Sequence, residues 1–467
     1  MTPIEVDVAI IGAGSAGMSA YKAVRQHTER VLVIEQGPYG TTCARVGCMP
    51  SKLLIAAAEH AHAIAHGAPF GIRVAGMVVD GEAVMARVRR ERDRFVGFVL
   101  ETVEGWPAAH TLTGRARFVA PGVLAVGETR VHAGRVIIAT GAVPSVPPGW
   151  RDRLGDRLIV NDDVFDWTTL PASVAVVGTG VVGLELAQAL HRLGVRVRLF
   201  GRSRRVGPLT DPALQAAVTH WIEATLPYSG NVGEPDVRRD GDGDGVVVTW
   251  QGADGEDSEH FDYLLAAAGR APDLAGLDLD KAGIPLDERG RPTFDPATCR
   301  IGDTPIFIAG DADNNRPVLH EAADDGRIAG HNAGRYPDVR AEPRRTALTI
   351  VFSDPQMAIA GASHAELTRH GTAFAHGEVS FADQGRARTM GRNLGTLRVY
   401  GSPADGRLLG AEIFGPDAEH LAHLLAWAIQ RGDTVTDALA APFYHPVVEE
   451  GLRTALQRLA KALRNGG

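Results

Sequence analysis

Short apolar runs alternate along this chain with stretches of helical period, and one ordering of them occurs twice. "VDVAIIGAGSAGMSAYKAV" predicts a strand, a glycine turn and an Ala-rich helix, and "VLVIEQG" predicts a second strand ending in Glu35. "VAVVGTGVVGLELAQALHRLGVRVRLFGRS" repeats the plan further on. Each copy later reaches an apolar strand with a small-residue end, "RVIIATGAVP" in the first and "YLLAAAGRAP" in the second. Short alternating strands with turn signals, such as "VRRDGDGDGVVVTW", come before each end. Another apolar strand, in "TPIFIAGDAD", closes on Gly310 and Asp311.

The glycines give the repeated plan its chemistry. Gly12, Gly14 and Gly17 form GxGxxG, and Gly178, Gly180 and Gly183 repeat it. The first glycine permits a tight turn, the second admits a pyrophosphate to the backbone, and the third lets helix and strand pack closely. The helix N-terminus then faces the phosphates. Glu35 stands where an acid accepts hydrogen bonds from a ribose 2′-OH. The corresponding place in the second copy is Gly201, followed by Arg202, Arg204 and Arg205. That arrangement removes the carboxylate and offers guanidinium groups to a 2′-phosphate, which favours NADPH. Two dinucleotide sites in one α/β chain imply electron transfer between two nucleotides. Asp311, at the end of its strand, is placed to reach a ligand lying in the sheet crevice.

Composition narrows the setting. The 467 residues are 45% apolar and 22% charged, with a net charge of −8 and no long block of one sign. Nothing in this points to nucleic acid or a membrane surface. No apolar run reaches the length of a bilayer span, and no Lys or Arg precedes Lys22, as a signal peptide's basic segment requires. The expected location is cytoplasmic.

Two of the three cysteines, Cys43 and Cys48, lie in "TTCARVGCMPSK". Zinc sites favour four ligands in CxxC or Cys/His pairs, which this spacing does not supply. A structural disulfide is not expected in a reducing compartment, so the reading is a redox-active pair. Helical patterning through "KLLIAAAEHAHAIA" puts Cys48 near a helix N-terminus, where a thiolate is stabilised, and Pro50 suits the first turn. Cys299 reads as a partly buried structural thiol.

The motifs "GAGSAG", "TTCARVGCMPSK", "IIATGAVP", "GTGVVGLE", "GRAPDL", "IFIAGDAD", "FSDPQ" and "YHPVVEE" resemble the flavoprotein disulfide reductases almost end to end. The resemblance implies FAD in the first dinucleotide domain, NAD(P)H in the second and a C-terminal α+β dimerisation domain. It implies that Cys43 is the interchange thiol and Cys48 the flavin-facing thiol, with Lys52 and Glu185 as an ion pair beside the flavin. His445 matches the general base and Glu450 the carboxylate that orients it. Cofactor-facing positions are completed by Thr42, Lys52, Thr140, Gly141 and Gly269. The family's histidine acts across a subunit interface, so a homodimer is expected. The implied organisation is an FAD domain over 1–149, an NAD(P) domain over 150–271, a return to the FAD fold over 272–341 and an interface domain over 342–467.

The chain also departs from the family pattern. Thr41 stands where Gly is usual, Arg45 where Asn is usual, Gln356 where Glu is common, and Val447 where Thr follows the proline. Phe443 replaces a histidine often found two places before the catalytic one. Arg45 is suited to holding a thiolate, meeting an acidic substrate or bridging to a neighbouring strand. With no cysteine after Cys299, the C-terminal pair of mercuric reductases and of large thioredoxin reductases is missing. "GCMPSK" resembles dihydrolipoamide dehydrogenase, acting on a small dithiol or a lipoyl carrier protein. The alternatives are an NADPH-dependent reductase of a glutathione-like or protein disulfide, and a flavin-bearing scaffold subunit of a multienzyme complex.

Overall fold

The computed structural model describes residues 3–241, 243–252 and 255–465. In chain order it begins with strand β1 (Ile4–Ile11), helix α1 (Ser15–Val24), β2 (Val31–Glu35), α2 (Thr42–Val46), α3 (Cys48–Ala65), α4 (Gly81–Glu104), β3 (Thr111–Thr113) and β4 (Thr129–Ile138). The second nucleotide plan supplies β5 (Ser173–Val177), α5 (Val181–Arg192), β6 (Arg196–Gly201), β7 (Tyr228–Gly230) and β8 (Tyr263–Ala266). β9 (Ile306–Ile308), a short turn at Gly310–Asp313 and α6 (Leu319–Arg335) follow. The chain ends with β10 (Leu348–Val351), β11 (Gln356–Gly361), β12 (Ala375–Ser380), β13 (Thr396–Gly401), β14 (Leu408–Gly415), α7 (Ala418–Arg431) and α8 (Glu449–Asn465).

The chain forms two compact units. One gathers Met1–Pro50, Val88–Ser145 and Gly269–Arg344; the other gathers Ser51–Arg87, Val146–Ala268 and Arg345–Gly467. The chain passes from one to the other within α3 and again within α4. The crossing inside α3 had no sequence signal, because an uninterrupted helix carries none.

In the first unit β3, β2, β1, β4 and β9 lie side by side, all parallel. Such strands are buried on both faces, which explains why "VAII" and "VLVI" are continuously apolar rather than alternating. Val8, Ile10, Val33 and Phe307 pack on the α1 and α6 side, and Ile11, Leu32, Ile34 and Ile138 on the other. Helices α1 and α6 touch backbone to backbone, since a Cβ at Gly326 would lie 2.1 Å from the Ala16 carbonyl oxygen.

The second unit repeats the order, with β7, β6, β5, β8 and a two-residue strand at Leu158–Ile159, all parallel. The same unit carries a five-stranded antiparallel sheet in the order β10, β11, β14, β13, β12. Its core joins Ile413, Val399 and Leu397 to Leu421 and Leu425 of α7 and Leu452, Leu456 and Leu459 of α8.

Candidate active site

The two glycine turns have the same construction. Gly12 takes φ +107°, and a Cβ there would lie 2.3 Å from the Ala139 carbonyl oxygen; Gly178 takes φ +124° with the corresponding distance 2.1 Å to Ala267. Only glycine fits both the backbone angle and the approach. A Cβ at Gly17 would lie 1.8 Å from the Gly12 oxygen and one at Gly183 1.9 Å from the Gly178 oxygen. At Gly14 and Gly180, by contrast, nothing lies within 4 Å, and neither helix start is capped by a side chain. Each turn therefore presents open space at uncapped N–H groups, as a pyrophosphate needs.

In the first unit Glu35, Thr140 and Asp311 stand at or just past the carboxyl ends of β2, β4 and β9. Glu35 Oε2 accepts from Ala13 N–H at 2.7 Å and Oε1 from Gly37 N–H at 2.9 Å. The carboxylate is thus fixed against the glycine turn, with lone pairs left for a ribose. Thr140 Oγ1 is buried with no hydrogen-bond partner among the described residues, an orphan that a ligand oxygen would satisfy. Gly141 and Gly269 stand at opposite ends of an antiparallel ribbon in which Ala142–Pro144 pairs with Arg270–Pro272, Gly141 accepting from Asp273 N–H and Gly269 from Ser145 N–H, each at 2.9 Å. Gly269 thereby lies in the first unit, not in the nucleotide domain its sequence position suggested. Burial raises the Asp311 carboxyl above its usual range, opposed by the Arg270 guanidinium.

The cysteine box is a helix break. Thr41 has φ +59° and its side chain caps α2 by accepting from Ala44 N–H at 3.2 Å. The usual glycine here has a conformational reason, and this chain holds a β-branched residue in a left-handed backbone. Cys43 lies in the first turn of α2, and Cys48 is the first residue of α3. Gly47 between them is tucked in, since a Cβ there would lie 3.3 Å from Cys43 Cα. Cys43 is half-buried and Cys48 exposed, and Thr42 is exposed beside them. Cys48 thus stands at the N-terminal end of α3, where the helical patterning after it placed it. The Arg45 stem packs over Gly40, and its guanidinium makes no hydrogen bond or ion pair among the described residues. The bridge to a neighbouring strand is not formed. Cys299 is fully buried, not partly, and burial pushes its thiol strongly up.

In the second unit Lys52 Nζ sits 2.7 Å from Oε2 of Glu185, which is 4% exposed. Glu185 Oε1 accepts from Phe352 N–H at 2.9 Å, and Lys52 Nζ stands 4.6 Å from the Phe352 ring centroid. Sequence reading named the pair but missed Phe352, although it opens the "FSDPQ" motif. His445 Nδ1 lies 2.9 and 3.0 Å from the two carboxylate oxygens of Glu450. This contact directs His445 Nε2 away from Glu450, and it fixes the tautomer. The His445 contact and the Val447 N–H hold the Glu450 carboxyl below its usual range. Gln384, which carried no signal, donates from Nε2 to the Val447 carbonyl at 2.8 Å and braces the loop. Gln356 replaces the common Glu without loss of contact, since it exchanges hydrogen bonds with Glu419 at the start of α7.

Gly201, at the end of β6, is buried, and its lack of a side chain is steric. A Cβ there would lie 2.9 Å from the Ser203 carbonyl oxygen, 3.0 Å from Thr179 Cγ2 and 3.1 Å from the Tyr228 hydroxyl. Arg202 and Arg204 are exposed, with no hydrogen bond or ion pair among the described residues. Arg205 instead donates to the Pro208 carbonyl, and its own carbonyl accepts from Thr179 Oγ1 at 2.8 Å. This ties the basic loop to the glycine turn.

Among the described residues no group of three or more His, Cys, Asp or Glu is placed to hold a metal ion. No helix among them is long and apolar enough to cross a membrane. Residues 6–326 match the pyridine nucleotide-disulphide oxidoreductase family, and residues 348–456 match the dimerisation domain of that name. Similar proteins include a mercuric reductase of Shigella flexneri, 34% identical over 98% of this chain and 81% of the relative. A dihydrolipoyl dehydrogenase of Haloferax volcanii is 30% identical over 97% and 95%. Among solved structures, LpdA of Mycobacterium tuberculosis has a TM-score of 0.82 at 24% identity, covering 97% of this chain and 100% of that one. RclA of Escherichia coli, a flavoprotein disulfide reductase, has 0.78 at 22%, covering 97% and 99%. The chain therefore belongs to the class I pyridine nucleotide-disulphide oxidoreductases, flavoproteins that pair FAD with a pyridine nucleotide and a redox-active cysteine pair.

Proposed function

We propose that this protein passes electron pairs between NAD(P)H and a small dithiol or disulfide through FAD and the Cys43–Cys48 pair, in the manner of dihydrolipoamide dehydrogenase. The observation that carries this reading is the His445–Glu450 contact at 2.9 Å, which pairs an exposed imidazole with a carboxylate able to orient it for proton transfer. Bound FAD supplies the two-electron exchange between nucleotide and thiols. In the reducing direction, the Cys43 thiolate attacks one sulfur of the substrate disulfide and forms a mixed disulfide. The departing sulfur takes its proton from His445, acting in a homodimer on the partner's thiols. The Cys48 thiolate then attacks the Cys43 sulfur, which closes the Cys43–Cys48 disulfide and releases the second thiol. Two electrons from NAD(P)H reopen the pair, so each cycle consumes one nucleotide hydride and one proton per disulfide. Glu450 holds the imidazole in the tautomer that offers Nε2, and the Lys52 ammonium, held by Glu185, would supply positive charge to bound flavin.

The exposed Arg202 and Arg204, with the carboxylate missing at 201, favour NADPH and so support a second reading, an NADPH-dependent reductase of a different disulfide. One experiment separates the two. Dihydrolipoamide, oxidised lipoamide and glutathione disulfide are assayed against NAD(H) and NADP(H) with purified protein. Turnover with the lipoamide pair supports the first reading, and NADPH turnover with glutathione disulfide alone replaces it. No turnover with any combination would leave the scaffold reading.

A further inference from the structure

Tyr228 opens β7, which runs parallel to β6 in a register that sets Leu199 beside Tyr228 and Gly201 beside Gly230. Residues two apart on a strand share a face, so the face that carries Tyr228 would also carry side chains from 201 and 230. Both positions are glycine, and the phenol fills the room they leave. A Cβ at Gly230 would lie 2.2 Å from the Tyr228 hydroxyl oxygen and 2.5 Å from Cζ, and one at Gly201 would lie 3.1 Å from the same hydroxyl. The ring thus runs along the strand over Gly230 and brings its hydroxyl to the carboxyl end of β6. In a dinucleotide fold this is where an acid meets the adenosine ribose. The Tyr228 hydroxyl oxygen is buried and has no hydrogen-bond partner among the described residues, whereas buried hydroxyls are as a rule paired. Burial raises the phenol above its usual range, Glu223 adds to this and Arg204 opposes it, so near neutral pH the group keeps its proton and can donate it.

We propose that Tyr228 is a specificity-determining residue for the pyridine nucleotide: its O–H takes the place of the acid missing at 201 and donates to the 2′-phosphate of NADPH. The inference rests on the reading of the second glycine turn as the nucleotide site, and it deepens that reading. A carboxylate at this place only accepts, which suits a ribose 2′-OH and repels a phosphate. A phenol donates to a phosphate oxygen without that repulsion, and the bond is charge-assisted. A ribose hydroxyl can accept from the same O–H, but in a neutral bond about half as strong. The two kinds of group divide the work. Arg202 and Arg204 bring countercharge from the exposed rim, and Tyr228 brings one donor fixed in direction by the packing of its ring over Gly230. Contact requires residues 202–204 to give way, and all three are exposed, so no core has to open.

The test is Tyr228→Phe, which keeps the ring over both glycines and removes only the hydroxyl. Stopped-flow reduction of the flavin by NADPH and by NADH, with no disulfide present, gives KM and the limiting rate for each nucleotide. KM for NADPH is expected to rise about 10-fold and KM for NADH about 2- to 3-fold, with both limiting rates unchanged. Calorimetric binding of adenosine 2′,5′-bisphosphate should weaken by about 10-fold, and binding of 5′-AMP, which lacks only the 2′-phosphate, by about 2- to 3-fold. The melting temperature without nucleotide should match or slightly exceed that of the wild type, because the hydroxyl removed had no partner. Equal changes in KM for the two nucleotides, or none, would overturn the inference. So would a lower melting temperature with an unchanged NADPH/NADH ratio, which would mark the hydroxyl as structural. A wild type whose flavin neither nucleotide reduces would refute the proposed function and this inference together, whereas a reducible wild type with an unchanged ratio in Tyr228→Phe overturns the inference alone.

Discussion

Nucleotide choice offers the sharpest test, because the structure changes what a designer would attempt. The obvious exchange is Gly201→Glu, which restores an acid at the end of β6. A side chain there starts 2.9 Å from the Ser203 carbonyl oxygen, with Thr179 and Tyr228 closing two other sides. Overpacking of this kind costs about 1–3 kcal/mol, and each kcal/mol lowers a melting temperature by about 2–4 °C in a unit of this size. The hydrogen bond gained to a ribose is worth at most about 1.5–3 kcal/mol, so Gly201→Glu should lose stability without a clean switch to NADH. The arginines are the better target. A guanidinium–phosphate contact at an exposed rim falls at the low end, about 1.5 kcal/mol, or roughly tenfold. Arg202→Ala with Arg204→Ala should therefore remove most of the NADPH preference and leave the melting temperature unchanged. The assay is stopped-flow reduction of the flavin by each nucleotide, with kcat/KM for both and a melting curve for every variant. An unchanged NADPH/NADH ratio in the double alanine variant refutes the arginine reading. A Gly201→Glu variant that melts like wild type and prefers NADH refutes the steric one.

Three further outcomes are expected. Cys48→Ser should abolish the long-wavelength absorption of the two-electron-reduced protein, and Cys43→Ser should retain it; the reverse would exchange the two thiols. His445→Gln should cut disulfide turnover by about 10²- to 10⁴-fold and spare flavin reduction by NAD(P)H, with Glu450→Gln doing less. The depressed Glu450 carboxyl means the dyad is intact above the usual Glu range and is lost only as pH falls through that lowered value, which an NMR titration of His445 would follow. Glu185→Leu strands both the Lys52 ammonium and the Phe352 N–H, and should cost about 2–4 kcal/mol in denaturant unfolding. Glu185→Gln keeps the Phe352 acceptor and should cost visibly less; equal losses would show that the ion pair alone matters.

Much of this molecule was legible in one dimension because its signals are local. Strand, glycine turn, helix and acid lie within one stretch of chain, and the turn's geometry forbids any other residue at Gly12 or Gly178. The helix start at Cys48 followed from the patterning of the segment after it, whereas motif resemblance supplied the His445–Glu450 partnership. The rest depended on contacts between segments far apart in sequence. Lys52 and Glu185 are 133 positions apart, and motif resemblance supplied their partnership, while the Phe352 N–H and ring beneath them emerged only from folding. Gly201 looked like a missing acid, whereas the folded chain shows a notch already filled by Ser203, Thr179 and Tyr228. Close approach between segments far apart in the chain leaves no trace in local spacing, so only packing decides where an added side chain would clash.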